Sequence, residues 1–180
     1  MKQGEILCDV LTVSRLFVAI AIILISFLLE ANGLQLVIFA LLFGWTTDIM
    51  DGRIARRIKK RETIIGRNDI RFDAILIGAA VFYLGWAGFA PYLLGFSWSI
   101  LLIVLALWPK LPHDLIQFFE TPTVIVSLPV LVYCDRTLFM LLFVLAWGIL
   151  LLIFDWKRAW KNFLKLQTLY LGSWLKKRRV

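Results

Sequence analysis

The segment LQLVIFALLFGWTTDIMDGRIAR, residues 34–56, joins the charge-free run Leu34–Thr47 to two aspartates, Asp48 and Asp51, and then to Gly52, Ala55 and Arg56. A run of this kind is a membrane-helix candidate, and an ionisable residue within one is expensive and functional by default. With Leu34 at one boundary and a rise of about 1.5 Å per residue, Asp48 lies about 21 Å deep and Asp51 about 25 Å, inside a hydrocarbon core of roughly 30 Å and close to its far interface. On a helix Asp48, Asp51, Gly52 and Ala55 occupy i, i+3, i+4 and i+7, a single stripe. A packing stripe would be apolar. This one presents two carboxylates and then two residues with almost no side chain, which suits a cation held beside a ligand that approaches the backbone closely. Gly66, Asp69 and Asp73 repeat the pattern at the head of the next apolar run.

The rest of the chain agrees with a membrane setting. Of its 180 residues 61% are apolar and 14% aromatic, and the mean hydropathy is +0.85. An ordinary soluble domain is about 45–50% apolar. The charge-free runs Leu16–Leu29, Leu34–Thr47, Ala74–Ala90, Tyr92–Trp108, Thr121–Cys134 and Thr137–Phe154 predict an all-α integral membrane protein of six transmembrane helices. Several runs are shorter than the roughly 20 residues a span requires, so flanking polar residues or a thinned bilayer must complete them. The fifth carries Pro122 and Pro129 and is the least regular.

An even number of passes puts both termini on one side. Of the 20 Lys and Arg, only Arg136 falls in a loop of the opposite side; the others lie at Lys2 and Arg15, in Arg53–Arg71, at Lys110, or from Lys157 to Arg179. The positive-inside rule then predicts cytoplasmic termini and a cytoplasmic-face location for the acidic segment. The net charge of +8 is absorbed by this topology, and nucleic acid is not expected as a partner. Residues 1–155 read as the membrane domain, with a weakly basic start resembling a signal anchor. Residues 156–180 read as a basic interfacial tail: Trp156, Trp160, Phe163 and Leu164 recur at helical spacing among lysines and arginines, as in an amphipathic helix on anionic membrane lipids. Cys8 and Cys134 are predicted on opposite sides of the membrane, so no disulfide is expected between them, and one His with two separated Cys offers no zinc site. Four clustered carboxylates instead select hard divalent cations, Mg²⁺ or Mn²⁺, and two such ions form a standard device for phosphoryl displacement.

Asp48-x2-Asp51-Gly52-x2-Ala55-Arg56, followed by Asp69-x3-Asp73, resembles the signature of the CDP-alcohol phosphotransferases, membrane enzymes of phospholipid biosynthesis. Upstream, Asp9-Val-Leu-Thr12-x2-Arg15 is similar to the segment leading into that family's first membrane helix. One position departs. The family usually has its second glycine nine residues after the arginine, where Ile65 stands here; Gly66 is displaced by one, while the distance from Arg56 to Asp69 is kept. Thr63-x2-Gly66 is expected to preserve the local element one step along.

The resemblance implies that Asp48, Asp51, Asp69 and Asp73 bind two metal ions, with Asp73 also the catalytic base. Gly52, Ala55 and Arg56 would contact the cytidine diphosphate, helped by Asp9, Thr12 and Thr63. It implies release of CMP from a CDP-linked donor and a homodimer. The donor is expected to be CDP-diacylglycerol, since a small chain with membrane-embedded acids can admit lipid between its helices; glycerol 3-phosphate is the first choice of acceptor, with inositol phosphate, serine or a second lipid open, and a bacterial inner membrane fits so compact a chain. His113 and Lys110 are placed where they either meet a phosphorylated acceptor or simply mark the interface. The competing readings are a divalent-cation carrier using the same acids, and a catalytically degenerate membrane scaffold. The carrier gives no reason for Gly52, Ala55 and Arg56 at their spacings.

Overall fold

A computed structural model describes residues 3–58, 63–108, 110–150 and 153, and every regular element among them is helical. The chain divides into two compact units, Met1–Arg136 and Thr137–Val180. The first unit contains α1 (Gln3–Leu29), a 3₁₀ turn (Glu30–Gly33), α2 (Leu34–Ile58), the single-turn α3 (Ile64–Arg67), α4 (Asp69–Trp86), α5 (Tyr92–Leu107) and α6 (His113–Asp135). In the second unit the apolar helix α7 covers Leu138–Leu150. The tail expected to lie on the membrane from Trp156 onward falls outside the described residues.

α1 and α2 form an antiparallel hairpin. The reversal is made by Glu30, whose φ of 48° is left-handed, and by Gly33, where a Cβ would collide with the Ile25 side chain. α1 buries one stripe, Cys8, Thr12, Arg15, Ala19, Ile22 and Ser26, at alternating steps of four and three. α2 buries Leu34, Val37, Leu41, Gly44 and Asp51 at helical spacing, with Gly44 lying against Leu76 of α4. Apart from Ser26, whose hydroxyl donates to the Ile22 carbonyl, both stripes are apolar toward the hairpin turn and polar at the other end. The polar end is where the acids stand.

α4 and α5 make a second hairpin. Gly88, with φ 77°, and Pro91 end α4 at Trp86, four residues before the expected Ala90. The two helices touch backbone to backbone where Gly85 meets Gly95: a Cβ on Gly95 would lie 2.7 Å from the Gly85 Cα and 3.2 Å from the Val81 carbonyl oxygen. Gly95→Ala is therefore expected to force the helices apart at a cost of about 1–3 kcal/mol. A thermal melt in detergent reads this directly, and an unchanged midpoint would show that the crossing is not tightly packed.

α6 is continuous through Pro122 and Pro129. Thr123 donates to the Phe119 carbonyl at 2.7 Å and accepts from the Trp98 indole at 2.9 Å, which ties α6 to α5. At the turn end of the first hairpin Gln35 donates to Asp135 at 3.1 Å, and the Tyr83 hydroxyl donates to the Glu30 carbonyl at 2.9 Å. Each of the six charge-free runs thus lies largely within a helix, including the proline-bearing fifth. Outward faces carry Phe17, Leu28, Leu93, Phe118 and Tyr133, an apolar exterior suited to hydrocarbon. Two stretches, Gly4–Ile58 (now resolved into α1, the turn and α2) and His113–Asp135, are long and apolar enough to cross a membrane; α5 and α7 are shorter apolar helices.

Candidate active site

The acids meet at the polar end of the first hairpin. α2 contributes Asp48 and Asp51. α4 contributes Asp69 in its first turn, where the helix dipole favours a negative charge, and Asp73 one turn later. Their placement depends on the short connection before α4. Thr63 caps α3 by accepting from the Gly66 N–H at 3.1 Å, and its hydroxyl donates to Asp9 of α1 at 2.8 Å. α3 then stops at Asn68, whose carbonyl accepts from Arg71 at 2.9 Å as α4 begins. The displaced Gly66 therefore supplies a capping N–H to Thr63, and the Thr63-x2-Gly66 element is a local helix start anchored to α1.

Asp48, Asp51 and Asp69 each offer a carboxylate oxygen, and these atoms lie within 4.8 Å of one another. Asp73 is outside that trio. It is joined to it through Arg15, which the sequence had counted only as a cytoplasmic positive charge and as part of the upstream segment. The Arg15 side chain is fully buried. Its Nη1 donates to Asp69 at 2.7 Å and to Asp73 at 2.6 Å, while Nη2 lies 3.1 Å from Asp48 and also pairs with Asp51. One guanidinium thus engages all four acids. The Thr12 hydroxyl, one turn earlier on the same face of α1, reaches Asp51 at 3.0 Å, and the Cys8 thiol reaches the Asp51 carbonyl at 3.6 Å. Cys8 and Cys134 form no disulfide.

The site is graded in exposure. The Asp51 side chain is 7% exposed and Asp73 20%, against 34% for Asp69 and 40% for Asp48, so Asp48 and Asp69 form the open side of the cluster. Beyond Asp51, Gly52 and Ala55 are half-buried and Arg56 is exposed. A Cβ on Gly52 would meet only Arg56 Nη1, at an ordinary 3.5 Å. The fold has no need of glycine there; a ligand lying against the helix backbone would. Beside Asp69 a cavity of about 430 Å³ is lined by Gly66, Arg67, Asp69, Ile70 and His113. Lys110 is exposed in the turn before α6. Glu120 of α6 adds a fifth carboxylate within electrostatic range of Asp48, Asp69, Asp73 and Arg15. In the sequence Glu120 stands immediately before the fifth charge-free run, Thr121–Cys134.

The signal that could have marked Arg15 was present: a lone arginine on an apolar helix, three residues after Thr12, is costly unless it meets buried anions. Glu120 had no comparable signal, because its neighbours come from other helices.

A family model described as CDP-alcohol phosphatidyltransferase matches residues 5–156. The chain belongs to this family. No match was found among curated proteins or among solved structures. Membership makes this CDP-alcohol phosphatidyltransferase a membrane-type transferase that moves a phosphatidyl group from a CDP-alcohol to an acceptor alcohol in phospholipid biosynthesis, with dependence on divalent cations. The donor set fits such an ion: three carboxylates bring hard oxygen atoms within 4.8 Å of one another, and two of the three are partly open to solvent.

Proposed function

We propose that this CDP-alcohol phosphatidyltransferase takes CDP-diacylglycerol as donor and a small phosphorylated alcohol, glycerol 3-phosphate first, as acceptor. It would work at the cytoplasmic face of a bacterial inner membrane, with six spans and both termini in the cytoplasm. The observation that carries the proposal is the convergence of Asp48, Asp51 and Asp69 at the entrance of a site whose next helical turn is Gly52, Ala55 and Arg56.

In this reading Asp48, Asp51 and Asp69 hold Mg²⁺ or Mn²⁺, and Asp73 shares a second ion. Ions held there would supply charge neutralisation for the diphosphate. Gly52 and Ala55 leave the α2 backbone open to the cytidine diphosphate, and Arg56 forks onto a phosphate. Asp9, Thr12 and Thr63 support this pocket from α1 and the connection to α4. Arg15 engages Oδ1 of Asp73. Oδ2 of Asp73 takes the proton of the acceptor hydroxyl as its oxygen attacks the β-phosphorus. A new ester bond to that phosphorus forms, the bond to the bridging oxygen breaks, and CMP leaves with both electrons of the broken bond. Arg67 and His113, lining the cavity beside Asp69, favour an anionic acceptor over a neutral one.

A buried arginine joined to all four acids opposes passage of a cation, which favours transfer over the carrier reading. The deciding experiment measures Mg²⁺- or Mn²⁺-dependent CMP release from CDP-diacylglycerol in detergent micelles against glycerol 3-phosphate, inositol phosphate, serine and a lipid alcohol. Release only with glycerol 3-phosphate is the expected result. Release with serine alone would overturn the acceptor, and no release with any donor–acceptor pair would overturn the transfer reading. Pairing as a homodimer is carried with the same proposal and is tested by the molecular mass of the protein in detergent.

A further inference from the structure

Arg15 contacts each of the four aspartates, and no role assigned to the upstream segment Asp9-Val-Leu-Thr12-x2-Arg15 accounts for it. Its side chain is fully buried, and its two terminal nitrogens are shared between the two helices that bear the acids: Nη2 with Asp48 and Asp51 of α2, Nη1 with Asp69 and Asp73 of α4. The Nε atom is also buried and has no hydrogen-bond partner. That orphaned Nε–H is costly, so the guanidinium is held by its four carboxylate contacts rather than by a fully satisfied donor set. Asp48, Asp51 and Asp69 are also the three acids whose oxygens converge as a divalent-ion site. Each of them already gives an oxygen to the guanidinium.

We infer that Arg15 is a resident counter-cation, standing in for the divalent ion when the site is metal-free and competing with it for the same carboxylates. The charge balance supports this. Four carboxylates this close, two of them largely buried, repel one another unless positive charge stands among them, and among the described residues Arg15 contacts all four. A divalent ion entering among Asp48, Asp51 and Asp69 meets a fixed positive charge a few ångströms away, so its affinity is set by how readily Nη2 gives up Asp48 and Asp51. Nη1 can keep Asp73 throughout, which makes Arg15 a positioning residue for the proposed base as well. The consequence is a protein that stays folded without metal and binds metal less tightly than its bare carboxylates would.

The inference rests on the reading of the cluster as a divalent-cation site. Mn²⁺ binding to the purified, substrate-free protein is measured in detergent micelles from the free-Mn²⁺ electron paramagnetic resonance signal, beside thermal melts in chelator and in excess Mn²⁺, for wild type, Arg15→Met and Arg15→Lys. Arg15→Met is expected to bind Mn²⁺ at least about tenfold more tightly than wild type, because a nearby repulsive charge is gone. In chelator its melting midpoint falls by about 10 °C, and excess Mn²⁺ restores it. Arg15→Lys, which keeps the charge and loses the fork, falls between the two in both measurements, and it carries the test if Arg15→Met cannot be purified. Mn²⁺ binding by the variants that is equal to or weaker than wild type would overturn the inference and make Arg15 a scaffold that pre-organises the ligands. If wild type and variants all fail to bind Mn²⁺, the metal reading itself falls, and the competition with it.

Discussion

Asp73→Asn is expected to abolish phosphatidyl transfer while leaving divalent-ion binding partly intact. The Asn carbonyl can still accept from Arg15 Nη1, so the link that Asp73 makes at 2.6 Å is weakened rather than lost, and Arg15 keeps Asp48, Asp51 and Asp69. The trio that converges within 4.8 Å does not include Asp73, so it should still take Mn²⁺. What the amide cannot do is receive the proton of the acceptor hydroxyl. Loss of a positioned base costs about 10²–10⁴-fold. CMP release in detergent micelles, compared with Mn²⁺ titration of the same preparation, separates the two effects. Undiminished CMP release by Asp73→Asn would refute the assignment of the base, whatever the metal titration shows.

Gly52→Ala is expected to separate stability from activity in the opposite direction. Glycine within a helix costs up to about 1 kcal/mol relative to alanine, and the added methyl would meet only the end of the flexible Arg56 side chain at 3.5 Å. The variant should therefore melt at the same temperature as wild type or slightly above it. Its transfer rate should fall by about a hundredfold, because a nucleotide diphosphate resting on the α2 backbone would be pushed out of line with the acceptor. Wild-type kcat/KM in a Gly52→Ala enzyme would mean that nothing approaches that backbone. The contrast with Gly95→Ala is informative. At Gly95 the backbone of Gly85 occupies the space a methyl would need, so the requirement for glycine comes from the fold. At Gly52 a methyl would meet only the end of the Arg56 side chain, so a loss of activity in Gly52→Ala would point to a ligand.

Much of the architecture could be read locally. A helix in hydrocarbon must satisfy its own backbone, so charge-free runs bounded by polar residues mark helices directly, and six such runs appear within six helices. Pro122 and Pro129 weakened the signal for the fifth without breaking the helix, since each removes one backbone bond and Thr123 engages a neighbouring carbonyl. The end of α4 at Trp86 was not legible, because hydropathy continues through Phe89 while the left-handed Gly88 has already turned the chain.

The sequence by itself determined the four aspartates, their stripe with Gly52 and Ala55, and the family they announce, because those relations hold within single helices whose period is known in advance. Only the tertiary structure decided what neutralises them. Arg15 is 36 residues from Asp51 and 58 from Asp73, and no periodicity links them. They meet because the left-handed Glu30 folds α1 back along α2, and because Thr63, anchored to Asp9, sets the start of α4 beside α1. A charge reads in sequence as a label of topology. Its partner is chosen by packing, since a buried guanidinium is stable only where several carboxylates can surround it at once.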